Sequence, residues 1–263
     1  MSLSQTRRAE LARVLWRAEH FRTPCEPVTS LEPDLSTEDA YAIQAINLAR
    51  HGKGDAGRLV GHKVGLTSEA IQSWLGVDQP DFGGLLSSME IPTGAELRVS
   101  TLMQPRAEGE IAFVLAHDLR GPQVTVADVL AATDFVLPAI EVIDSRIRDW
   151  KITFADTVAD NASSGRFILG TQPISAEQID LRLAGMWLRK NGRVVSTGAG
   201  AACMDNPVHA VAWLANTLAD LGTPLLAGQV ILSGALGPAV PIVAGDFLEL
   251  NIGQLGGCAV RVV

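Results

Sequence analysis

Pro105-Arg106-Ala107-Glu108-Gly109-Glu110-Ile111 runs into Ala112-Phe113-Val114-Leu115, and Pro138-Ala139-Ile140-Glu141-Val142-Ile143-Asp144 closes a second apolar stretch that begins at Phe135. Short apolar runs bounded by Gly and Pro read as strands, here Glu110 to Leu115 and Phe135 to Ile143. Side chains at i and i+2 of a strand share a face, so Glu108 and Glu110 present two negative charges side by side. Alone, that pair fits a solvated strand face. Glu141 does not, because it interrupts an apolar strand, where a charge needs an opposite charge beside it. A divalent cation held by oxygen atoms meets that need. With no His or Cys cluster alongside, Glu108, Glu110 and Glu141 suit a hard ion, Mg2+ or Mn2+.

The same texture of short apolar runs broken by Gly and Pro continues on both sides. It predicts further strands at Arg58 to Val64, Arg166 to Leu169, Gly185 to Lys190, Gln229 to Ser233, Asp246 to Ile252 and Ala259 to Val263. Upstream the period changes. Leu11, Val14, Leu15 and Ala18 recur at helical spacing between Ser4 and Phe21, as do Ala42, Ile43, Ile46 and Ala49 between Thr37 and Arg50. Pro24, Pro27 and Pro33 mark the loop between these two helices, and Gly52 and Gly54 stop the second. Thr125 with Asp128 forms a capping box, and Asn206-Pro207 starts a helix that ends near Gly222. The expected fold class is α+β, with an N-terminal helical region over residues 1–55 packed on a β-rich catalytic domain over 56–263.

A chain of 263 residues with 47% hydrophobic and 19% charged residues has the composition of a globular protein and can bury a substantial core. Its formal net charge of -8, without a basic tract, excludes the clustered Lys and Arg that meet nucleic-acid phosphates. Cys25, Cys203 and Cys258 make no CxxC or zinc spacing and read as reduced thiols of a cytoplasmic protein. Met1 to Glu19 lacks the apolar core of a signal peptide, and Val230 to Gly245 is too short and too broken to span a bilayer. A small-molecule substrate is the expected partner, with no nucleic acid and no membrane.

Gly61-His62-Lys63-Val64-Gly65-Leu66-Thr67 sets a lysine at the end of an apolar strand, with glycines that allow close approach of backbone or ligand. Desolvated there, Lys63 either exchanges protons or stays charged and holds a carboxylate. His62 points to the opposite strand face and reads as structural. Asp78-Gln79-Pro80-Asp81-Phe82-Gly83 is a turn by composition, in which Asp78 caps and Asp81 is free to act as a base. The polar stretch Asp156 to Gly165 offers hydroxyl, amide and backbone donors of the kind that hold a carboxylate. Gly198-Ala199-Gly200 lacks the context of a dinucleotide fingerprint, and no nucleophile elbow, Walker loop or zinc-protease motif is present.

Gly61 to Ser68, Gly76 to Gly83, Pro105 to Ile111, Glu141 to Arg146 and Asp160 to Ser164, taken in order, resemble the 2-keto-4-pentenoate hydratase and 4-oxalocrotonate decarboxylase family of the fumarylacetoacetate hydrolase superfamily. The resemblance runs from about Asp39 to the C-terminus. It implies a mixed β-roll of the fumarylacetoacetate hydrolase C-terminal type and an Mg2+ or Mn2+ site at Glu108, Glu110 and Glu141. It also implies acid/base roles for Lys63 and Asp81, and substrate contacts from Asn161, Ser163, Ser164, Leu66, Ala235 and Leu236. Leu66 to Gly76 contains Glu69 but no His, which argues against the superfamily's hydrolases. Ser233-Gly234-Ala235-Leu236-Gly237-Pro238 resembles the hydratases more than the decarboxylases, although Ser233 and Gly109 depart from the usual residues. The expected activity is hydration of 2-hydroxypenta-2,4-dienoate to 4-hydroxy-2-oxopentanoate in meta-cleavage catabolism of aromatic compounds. A decarboxylase of 2-oxo-3-hexenedioate and an inactive scaffolding subunit are the alternatives. The family also implies a homo-oligomer and suggests a complex with other enzymes of the pathway.

Overall fold

The computed structural model describes residues 2–51 and 57–263, apart from the side chains of residues 74 and 75. Two helices open the chain, α1 (Gln5–Phe21) and α2 (Thr37–His51). Ser4 caps α1 by accepting from the Arg7 N–H, and Arg22, in the left-handed region at φ 53°, ends it. Acidic Glu38 and Asp39 in the first turn of α2, and basic Arg50 and His51 in the last, complement its dipole. The stop expected at Gly52 and Gly54, like the domain boundary at 55/56, lies outside the described residues.

Thereafter the elements run β1 (Leu59–Gly65), α3 (Glu69–Leu75), β2 (Asp81–Leu86), β3 (Glu96–Leu97), β4 (Arg106–Leu115), α4 (Val126–Ala132), β5 (Thr133–Ile143), α5 (Phe154–Ala159), β6 (Ser164–Leu169), β7 (Gly185–Lys190), β8 (Arg193–Ala199), α6 (Pro207–Asp220), β9 (Val230–Leu232), β10 (Val240–Pro241), β11 (Phe247–Ile252) and β12 (Gly256–Val262). Seven strands form one mixed sheet in the order β2-β1-β9-β4-β5-β6, with β10 added to β4, and five form a second in the order β3-β12-β11-β7-β8. The fold is α+β, as the strand texture and the two leading helices require. Among the described residues no helix is long and apolar enough to cross a membrane.

Alternation along β4 and β5 divides the large sheet. One face, with Ile111, Phe113, Val136, Ile140, Val142 and Ile168, buries the main core against the second sheet and α6. The other carries Ala112, Leu137, Ala139, Phe167 and Leu232 beside the carboxylates. Leu11 and Leu15 of α1 and Ala40 and Ile43 of α2 form a separate apolar cluster with Ile147, Val158 and Ala159.

Among the elements that the sequence reading did not give are β2, β8 and α5. Asp78 to Gly83 reads as a turn, yet Asp81 to Leu86 is a strand paired antiparallel with β1. Its glycines give a turn-like composition for a packing reason: a Cβ at Gly83 would lie 2.6 Å from Ser164 Oγ and against the Asn161 carbonyl. Strand β8 was not expected, although Asn191-Gly192, at φ 54° and 78°, is the hairpin signal that joins it to β7. Helix α5 occupies what reads as loop, and its signal is a capping box, Thr153 with Asp156.

Arg146 and Asp160 lock α5 to the end of β5. Arg146 Nε lies 2.5 Å from Asp160 Oδ1, its N–H donates to Asp160 Oδ2 and its Nη1 donates to the Ser164 carbonyl, all in the interior. Removing one partner leaves the other charge buried and unpaired. Asp160→Ala is therefore expected to destabilise the protein by about 3–5 kcal/mol, read as a lower urea midpoint. A midpoint unchanged from wild type would contradict this account of the pair.

Candidate active site

Glu108 on β4 stands directly opposite Glu141 on β5, and Glu110 follows on the same face. One carboxylate oxygen from each lies within 4.8 Å of the others. Glu110 and Glu141 are buried and Glu108 is half-buried. Burial, then the charges of neighbouring carboxylates, pushes the carboxyls of Glu108 and Glu110 above the usual range. The Gly234 N–H donates to Glu110 Oε2 at 2.8 Å. Among the described residues, Glu110 Oε1 and both oxygens of Glu141 have no hydrogen-bond partner. Buried, oxygen-only and without hydrogen bonds among the described residues, these atoms form a donor set that suits a hard divalent cation.

Lys63 is brought to the same face by strand pairing. Through β9 it stands in one row with Leu232 and Ala112, and Ala112 is two residues from Glu110. Its Nζ lies 3.4 Å from Glu141 Oε2, with the side chain 4% exposed. Burial works against the ammonium, but Glu141 and then Asp81 outweigh it and hold the Lys63 pKa above the ordinary lysine value. The geometry pairs the Lys63 ammonium with the Glu141 carboxylate. His62 faces away, edge-on to Phe82 at 6.4 Å, and burial pushes its imidazole down to about 4.

Asp81 pairs across β2 with Gly65 and is buried. A Cβ on Gly65 would collide with Asp81 Oδ1 and stand 3.2 Å from Lys63 Nζ, so the glycine makes room for both groups. Burial raises the Asp81 carboxyl, and Lys63 and a hydrogen bond from Thr157 offset part of the rise. Thr157 Oγ1 donates to Asp81 Oδ2 at 3.2 Å. Gly65 thus has the close-approach role read for the glycines beside Lys63, whereas Thr157 reads in the sequence only as part of the polar stretch Asp156 to Gly165; locating the capping box of α5 would have drawn attention to it.

The remaining candidates divide. Ser163 is buried, its hydroxyl has no partner, and the turn Asn161–Ser163 lies against β1 and β2. Leu66, at φ 56°, is half-buried where the chain leaves β1, and Ala235 is half-buried beside Gly234. The side chains of three others make contacts within the protein. The Asn161 amide donates to the Gly84 carbonyl and accepts from the Gly84 N–H, because β2 is an edge strand whose free backbone groups need partners. Ser164 Oγ donates to the Asn161 carbonyl, and the Leu236 side chain is sealed in the main core. Glu69 sits exposed on α3.

The family model for the fumarylacetoacetate (FAA) hydrolase C-terminal region matches residues 68–263. A 2-keto-4-pentenoate hydratase of Paraburkholderia xenovorans (strain LB400) is 49% identical over 257 residues, covering 97% of this chain and 94% of that protein. A 2-hydroxyhexa-2,4-dienoate hydratase of Comamonas testosteroni is 49% identical over 249 residues, with 94% of each chain covered. Among solved structures, 4-oxalocrotonate decarboxylase from Pseudomonas putida G7, complexed with magnesium and adipate, superposes with a TM-score of 0.95 at 38% identity, over 100% of this chain and 99% of that one. With the carboxylate triad, the lysine and the fold in agreement, the chain belongs to the 2-keto-4-pentenoate hydratase and 4-oxalocrotonate decarboxylase family of the fumarylacetoacetate hydrolase superfamily.

Proposed function

We propose that this protein is a divalent-metal-dependent hydro-lyase that adds water to 2-hydroxypenta-2,4-dienoate to give 4-hydroxy-2-oxopentanoate, in meta-cleavage catabolism of aromatic compounds. One observation carries the reading: carboxylate oxygens of Glu110 and Glu141 that accept no hydrogen bond, beside Glu108, share a buried site with a lysine in a chain 49% identical to named hydratases. Glu108, Glu110 and Glu141 would hold Mg2+ or Mn2+. When bound, such an ion supplies Lewis-acid stabilisation of negative charge on the substrate's C2 oxygen.

The overall change is a proton lost from the 2-hydroxyl and gained at C5, then water added as hydroxyl at C4 and hydrogen at C3. Lys63 and Asp81 are the groups in the site that hold and move these protons. The Lys63 ammonium lies beside Glu141, and burial raises the Asp81 carboxyl above its ordinary value. Ser163, whose buried hydroxyl makes no hydrogen bond among the described residues, would donate to the substrate carboxylate, with Leu66 and Ala235 as further contacts. Asn161, Ser164 and Leu236 remain candidates for substrate contact through their backbone groups. The protein works in the cytoplasm as a homo-oligomer, alongside other enzymes of the pathway.

A second reading, decarboxylation of 2-oxo-3-hexenedioate, is favoured by the superposition on a decarboxylase at 38% identity. The experiment follows dienoate absorbance with Mg2+ or Mn2+ and with a chelator, and weighs the product. Metal-dependent gain of one water by the monocarboxylate is expected. Loss of carbon dioxide from the dicarboxylate without that hydration selects the second reading, and no change in either substrate overturns both.

A further inference from the structure

Asp81 lies on β2, the terminal strand of the large sheet. One neighbouring strand fixes its backbone, and the orientation of its carboxylate depends on groups outside the sheet. Asp81 Oδ1 faces the space above Gly65, toward Lys63, and has no hydrogen-bond partner. Asp81 Oδ2 accepts from Thr157 Oγ1 at 3.2 Å, and both residues are buried. The two oxygens are thus distinguished, one held and one left free toward the lysine.

The holder is itself framed by the N-terminal region. Gln44 of α2, buried, donates from Nε2 to the Phe82 carbonyl at 2.9 Å and to the Val158 carbonyl at 3.0 Å. Phe82 is the residue after Asp81, and Val158 the residue after Thr157. Tyr41, one turn earlier on α2, stacks on Phe82 with ring centroids 4.3 Å apart. One amide therefore sets the separation between the strand that carries Asp81 and the helix that carries Thr157.

We propose that Thr157 is a positioning residue that orients the Asp81 carboxylate toward Lys63, and that α2 takes part in this arrangement through Gln44. A carboxylate free to rotate in a buried site spends part of its time turned away from the group with which it exchanges protons. Misplacement of that size lowers turnover by roughly 10- to 100-fold without weakening substrate binding. The reaction measured rests on the hydratase reading; the geometry does not.

The test compares Thr157→Val, which keeps the shape and removes the hydroxyl, with Thr157→Ser, which keeps the hydroxyl. Each is made in the wild-type and Asp81→Asn backgrounds and assayed with 2-hydroxypenta-2,4-dienoate and Mg2+. Thr157→Val is expected to lower kcat about 10- to 100-fold, with KM and calorimetric Mg2+ affinity within about threefold of wild type, and Thr157→Ser to restore kcat. In the Asp81→Asn background Thr157→Val is expected to add less than about twofold, since a residue that acts through Asp81 has nothing left to orient. An undiminished loss in that background, a change confined to KM or metal affinity, or no loss at all overturns the proposal. A crystal structure of Thr157→Val reads the same point whatever the substrate: Asp81 Oδ1 turned away from Gly65 supports it, and an unmoved carboxylate overturns it. A wild-type protein that fails to hydrate the dienoate refutes the functional reading alone.

Discussion

Lys63→Met is expected to lower turnover by roughly 10^2- to 10^4-fold, the range for loss of a positioned acid/base group. Methionine has a similar length and no charge, and it is flexible enough to fill the buried space of the Lys63 side chain without forcing its neighbours apart. The change removes the cation 3.4 Å from Glu141 Oε2, a charge that offsets the carboxylates of this face. Steady-state assay with 2-hydroxypenta-2,4-dienoate at saturating Mg2+ measures the effect. Far-ultraviolet circular dichroism in the same buffer is expected to match wild type, because the strands around Lys63 are held by backbone pairing with β2 and β9. Turnover within about threefold of wild type would remove Lys63 from the chemistry.

Glu110→Gln is expected to reverse the order of stability with and without metal. Free of divalent ions, three carboxylates within 4.8 Å in a buried site repel one another, so removal of one charge leaves the variant at least as stable as wild type. Glutamine retains an oxygen to accept from the Gly234 N–H, so that contact survives. With Mg2+ the order inverts. At a concentration of 100 Kd a ligand that binds only the folded state stabilises it by about 2.7 kcal/mol, on the order of 5 to 10 °C in Tm for a chain of this length. Wild type is expected to show that rise and the variant little of it, with activity lost in parallel. Differential scanning calorimetry in chelator and in Mg2+ measures both halves, and a full Mg2+-induced rise in the variant would exclude Glu110 from the metal site.

The parts of the fold legible in the sequence are those where local pattern and tertiary environment agree. Strands β4 and β5 are long, apolar and glycine-bounded, and α1 and α2 carry clean helical spacing and capping residues. Strand β2 is not legible from periodicity, because Gly83 and Gly84 are there to admit Asn161, Ser164 and Leu48, contacts made across the fold. The site divides in the same way. Glu108, Glu110 and Glu141 are visible as charges in apolar strands. Asn161 and Ser164 are polar residues in a polar stretch, and only the edge position of β2 shows that the Asn161 amide is spent on Gly84. Leu236 stands in a turn near the site, and its side chain points into the core.

By itself the sequence determined the chemistry of the ligand set. Three carboxylates without His or Cys imply a hard cation wherever they meet, since that preference belongs to oxygen donors and not to a fold. It also determined that Glu108 and Glu110 share a face, because alternation is a property of any strand. The tertiary structure alone decided that Glu141 stands opposite Glu108, that Lys63 joins them through β9, and that Thr157 holds one oxygen of Asp81. Those relations rest on register and packing between segments as far apart as Lys63 and Leu232, which the large sheet brings into one row. Local pattern carries no information about such distances, because they are set by which strands the whole core selects as neighbours.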